Sequence, residues 1–200
     1  MESLNPAKTA FITVHLQNDI VTDGGAFSPV FLEELGRNDT IAKANDLLAA
    51  ARSSGGYVVF ARVGFEPGYP ELVDNEPLLR MGKEAGALVN GTWGTDINEN
   101  VDVEEGDYVL THTRTSPFAA TPLDVVLRGR GIENVVVLGV ATNASVEDAA
   151  RWAANLGYRT IIASDASSAG TEAAHNATLE SFVLFGEVAT NDELKEALGV

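Results

Sequence analysis

The chain contains no cysteine, which excludes disulfides, thiolate metal sites and thiol nucleophiles together. Any nucleophile it uses must present oxygen or nitrogen. Basic residues are few, 13 Lys and Arg against 29 Asp and Glu, for a net charge of -16, and no basic cluster interrupts the acidity. Nucleic acid and anionic membrane surfaces are therefore excluded as partners. Long apolar runs are missing too: nothing approaches the roughly 18 residues of a membrane span, and the opening residues lack the basic start and apolar stretch of a secretory signal. The expectation is a soluble, cytoplasmic protein. What remains is 200 residues, 45% of them hydrophobic, enough for one domain over residues 1–200 with a sizeable core.

Short apolar stretches rich in β-branched and aromatic residues recur at Thr9–His15, Tyr57–Val63, Tyr108–His112, Asn134–Val140 and Tyr158–Ser164. Near-continuous runs of this kind predict strands buried on both faces. Between them, helical spacing appears over Thr40–Arg52, Thr121–Arg128 and Ser145–Leu156, each opened by Thr or Ser and closed by glycine. Strand, helix, strand in repetition predicts a doubly wound, mainly parallel α/β sheet with helices on both faces. Ligands in such folds bind beyond the carboxyl ends of the strands, where His15, His112 and the loop after Val140 fall. The stretch from Gly64 to Asn100, with its glycines and prolines, is a candidate lid or subunit contact.

The motifs at these strand ends are His15-Leu-Gln-Asn-Asp19, Gly91-Thr-Trp-Gly-Thr-Asp-Ile97, His112-Thr-Arg-Thr-Ser-Pro-Phe118, Thr121-Pro-Leu-Asp124 and Gly139-Val-Ala-Thr142. In that order and spacing the chain resembles the isochorismatase-like hydrolase family, also called the cysteine hydrolase family, from about Lys8 to Leu198. The resemblance implies a six-stranded sheet, a homodimer or homotetramer, a small-molecule substrate and no cofactor. It also implies a cis peptide at Val140-Ala141, with the backbone of Val140, Ala141 and Ser145 forming an oxyanion hole. Where the family's amidases carry a general-base Asp, a charge-stabilising Lys and a nucleophilic Cys, this chain carries His15, His112 and Ser145. The metal site of the family's nicotinamidases uses an Asp-x-His arrangement, which is absent here.

The replaced trio is chemically workable. A serine beside an imidazole is a nucleophile with its base, and imidazole titrates near neutrality, which suits proton transfer in both directions. The plainer reading of Ser145 is a helix cap, and that of a lone histidine is a hydrogen-bonded core group. Two of the three histidines of the chain fall on catalytic positions of the resembled family, which favours chemistry there. The third, His175, lies on a helical stretch and reads as structural. A metal held by His15 and His112 with Asp19 is a weaker alternative, since no ligand spacing supports it. Arg62, Trp93, Arg114 and Phe118 are candidates for substrate binding: arginine suits a carboxylate through a bidentate pair, and an aromatic shapes an apolar wall. Asn18 and Asp19 are expected to fix the loop after the first strand. The leading function is hydrolysis of an amide, ester or related bond without a metal. Vinyl-ether hydrolysis, proton-transfer isomerase or lyase chemistry, and a catalytically degenerate ligand-binding relative are the alternatives.

Overall fold

The computed structural model describes residues 1–200. It forms a six-stranded, fully parallel sheet from β1 (Thr9–Val14), β2 (Tyr57–Val63), β3 (Tyr108–His112), β4 (Asn134–Val140), β5 (Arg159–Ser168) and β6 (Glu187–Ala189), in the order β3-β2-β1-β4-β5-β6. From β1 the chain first builds outward through β2 and β3, then returns to lay β4, β5 and β6 on the other side. The join between β1 and β4 is thus the switch point at which ligands gather in sheets of this kind.

Around the sheet lie α1 (Asn18–Val21), α2 (Ser28–Arg37), α3 (Thr40–Ser54), α4 (Pro77–Glu84), α5 (Leu123–Gly129), α6 (Glu147–Asn155), α7 (Glu172–Phe182) and α8 (Asn191–Leu198). The alternation of strand side chains divides the core in two. Phe11, Val136, Leu138 and Ile161 pack with α3 and α8, while Ala10, Ile12, Val135, Val137 and Ile162 pack with α5, α6 and Phe182 of α7. No helix is long and apolar enough to cross a membrane.

Two glycines are required by close approach. Gly139, at φ 118°, brings β4 so near β1 that a Cβ would lie 2.2 Å from the Val14 carbonyl oxygen. The second, Gly94, belongs to the loop system after β1. There Asp19 accepts hydrogen bonds from the Leu88 N–H (2.7 Å) and the Ala26 N–H (3.4 Å), and the Asn18 amide donates to the Trp93 carbonyl. Asn18 and Asp19 do fix that loop. A Cβ on Gly94 would sit 2.0 Å from the Asp19 carboxylate. Gly94→Ala is accordingly expected to expel the carboxylate from its donors, costing roughly 2 kcal/mol and about 5 °C in Tm. An unchanged melting curve would show that the loop yields freely.

Candidate active site

His15 is the first residue beyond β1, and His112 is the last residue of β3, so the end of β2 lies between them. Gln17 closes that end: its side chain donates to the carbonyls of Val63 and Thr95 and accepts from the Val63 N–H. His15 turns back at φ 58°, a left-handed conformation that His, Asn and Asp adopt more readily than most residues. The turn carries its ring across β2 to His112. The two Nε2 atoms lie 3.0 Å apart, with ring centroids at 5.0 Å and planes tilted by 28°. At that separation one ring donates and the other accepts.

Both rings are buried, and this sets their protonation. Desolvation, reinforced by the neighbouring His112, pushes His15 well below the ordinary histidine value. Burial pushes His112 down to about 4, against the pull of the Arg114 carbonyl, which favours a proton on that ring. Near neutrality the site therefore holds two uncharged rings, poised to receive one proton.

His15 opens onto a cavity of about 390 Å³ at the β1/β4 switch point, whereas His112 stands behind it. Since Nε2 of His15 is taken by His112, Nδ1 is the nitrogen left for the cavity. Ser145 lines the same space, with Val140, Ala141 and Asn143 beside it. The Val140-Ala141 peptide is cis, as the resemblance implied. The Ala141 N–H donates to no protein group. Phe27, Phe31, Phe65, Leu79 and Leu88 form an apolar wall, so the Gly64–Asn100 stretch supplies cavity lining from both α4 and its flanks. No carboxylate side chain lines the cavity, despite the acidity of the chain.

The helix predicted to open at Ser145 opens at Glu147 instead. Residues Thr142–Val146 form a π-helical turn, and Ser145 is its fourth residue rather than a cap. The extra residue per turn is invisible to a reading based on α-helical spacing. The caps of the turn and of α6 are Ala141 and Val146, neither with a capping side chain. Ser145 is buried yet makes no side-chain hydrogen bond, so its hydroxyl is free for the cavity.

Of the four candidate substrate contacts, the structure brings only Arg114 to the cavity. Its Nη2 donates to Asn75 and Glu76, at the approach to α4, and its Nη1 is buried without a partner. Arg62 projects from β2 and donates to Thr111 on β3. Trp93 is exposed, and Phe118 packs in the core against Tyr158. Trp93 and Phe118 lie within motif segments and Arg62 within β2, but none of the three lines the cavity. What the sequence reading missed is the apolar wall from α2 and α4, whose Phe27, Phe31 and Leu79 carry no motif. No group of three or more His, Asp or Glu side chains is placed to hold a metal, and Asp19 is engaged by backbone donors rather than by the histidines.

Fold and cavity together define a doubly wound α/β protein with a small-molecule site at its switch point. The isochorismatase domain model matches residues 9–193, and the chain belongs to that family. Its relatives include the ureidoacrylate amidohydrolase RutB of Agrobacterium fabrum, 34% identical over 204 residues that cover 94% of this chain and 89% of that protein. Among solved structures, an isochorismatase family protein from Burkholderia thailandensis matches with a TM-score of 0.83 and 29% identity over 100% of both chains. A cysteine hydrolase from Pseudomonas syringae pv. phaseolicola matches with a TM-score of 0.87 at 24% identity, covering 100% of this chain and 96% of that one. At that identity the likeness concerns the fold alone.

Proposed function

We propose that this protein is a small-molecule hydrolase that cleaves an amide or related acyl bond with Ser145 as nucleophile, His15 as general base and acid, and His112 as the group that orients His15. The observation that carries this reading is the 3.0 Å contact between the two Nε2 atoms in a site where His15 and Ser145 line one cavity. In the working tautomer the proton of His112 sits on Nδ1, a buried atom without a protein partner, which leaves its Nε2 as acceptor. His15 then donates from Nε2 and keeps a lone pair on Nδ1.

In the first step Ser145 Oγ bonds to the acyl carbon while its proton passes to Nδ1 of His15. The carbonyl oxygen takes up negative charge, which the N–H groups of Ala141 and Ser145 receive beyond Val140. Collapse breaks the acyl bond as His15 returns the proton to the leaving nitrogen or oxygen, and water repeats the cycle to free Ser145. The amidohydrolase relative supports an amide as the bond cleaved. Arg114 is paired with Glu76 through Nη2 and has only its unpartnered Nη1 left for a polar group of the substrate, while the phenylalanine wall suits an apolar portion. The family resemblance adds a homodimer or homotetramer.

The test uses a small alkyl fluorophosphonate. Ser145 Oγ would bond to phosphorus, fluoride would leave, and His15 would take the hydroxyl proton. Mass spectrometry is expected to place one adduct on the Ser145 peptide and none in Ser145→Ala. Turnover of an amide library without any adduct, and surviving in Ser145→Ala, would overturn the covalent route in favour of water activated by His15.

A further inference from the structure

We infer that His175 is a positioning residue for the catalytic turn, a role that rests on the proposed use of Ser145 as nucleophile. Its Nδ1 lies 2.8 Å from the hydroxyl of Thr142, the first residue of the π-helical turn that carries Ser145. Thr142 is completely buried, and this is the contact its hydroxyl makes. The turn has no capping side chain at its start. It closes through wider i→i−5 bonds, from the Val146 N–H to the Ala141 carbonyl and from the Glu147 N–H to the Thr142 carbonyl, in place of the α-helical ladder.

The neighbouring contacts make His175 the end of a series. Along one face of α7, Thr178 donates to Glu147 at 3.4 Å and Ser181 accepts from Arg151 at 3.2 Å. Those two contacts reach α6, an ordinary helix. Of these three side-chain hydrogen bonds, that of His175 reaches the turn itself, and it comes from a helix whose N-cap Thr171 and first-turn Ala174 line the substrate cavity. Burial lowers the pKa of the ring, opposed by Glu34, Asp165 and Glu172. A neutral ring can accept the Thr142 proton at Nδ1. The histidine that reads as structural in sequence thus joins the turn bearing the nucleophile to the helix bearing part of the cavity wall.

The experiment measures the rate at which the same alkyl fluorophosphonate labels Ser145, together with Tm, in His175→Ala, His175→Asn, Thr142→Val and the His175→Ala/Thr142→Val double variant. His175→Ala and Thr142→Val are each expected to slow labelling about tenfold. The double variant should be no slower than either single one, because both remove the same contact. His175→Asn, whose Oδ1 can replace Nδ1 as acceptor, should recover most of the rate. A merely structural role would lower Tm while leaving labelling within about twofold of wild type, and that outcome overturns the inference. Additive losses in the double variant would also overturn it. Failure of the unaltered protein to label overturns the nucleophile reading itself, and this inference with it, so the two failures are told apart.

Discussion

His15→Asn is expected to lower kcat by about a thousandfold with the fold intact. Loss of a positioned general base costs two to four orders of magnitude in typical cases. Asparagine is the informative replacement because residue 15 sits at φ 58°, where Asn is tolerated and Ala or Gln is strained. Its amide can still meet His112, yet it has no nitrogen able to take the serine proton. Kinetics and thermal melts side by side check this: KM and Tm should change little while kcat collapses. A kcat within tenfold of wild type would remove His15 from proton transfer altogether.

The second large effect is the response to acid. A base works when unprotonated, so kcat/KM should be level near neutrality and fall on acidification, with the pair taking up its first proton as a unit. Stability should move the same way. Both histidines have folded pKa values below the unfolded one, so the unfolded chain binds protons first as pH drops. The stability present above about 6.5 is then lost progressively down to about 4, where His112 titrates in the native protein. For His112 alone the loss is roughly 3 kcal/mol. Urea unfolding across that interval, compared with His112→Phe, isolates the contribution, since the acidic side chains are common to both. Identical slopes in the two proteins would contradict the buried neutral pair.

The parallel α/β class was legible in the apolar runs, because strands covered on both faces leave little room for polar residues. β6 escaped, being three residues at the sheet edge with its first two positions half-buried. α2 and α4 escaped as well; α4 lies within a stretch dominated by turn residues and owes its cavity-facing Leu79 to tertiary contact. At the site, His15 and His112 were legible from their strand-end positions, and Ser145 from the family resemblance. The direct contact between the two rings was not legible, because they meet across an intervening strand, nor was the π-helical turn, which breaks the spacing on which helix reading depends. Arg62 and Phe118 show the converse. Adjacency to a motif places a residue near the site along the chain, while strand pleat and core packing decide which way it faces.

The left-handed backbone at His15 bears on how this scaffold changes its chemistry. A site that favours His, Asn or Asp admits two proton-transferring side chains through the same main-chain path, so exchange between imidazole and carboxylate requires no rebuilding of the strand exit. The family's usual trio can then be reinstated by His15→Asp, His112→Lys and Ser145→Cys. Because the chain has no other thiol, that variant would carry a single addressable cysteine, and thiol chemistry could be compared with hydroxyl chemistry on one unchanged frame.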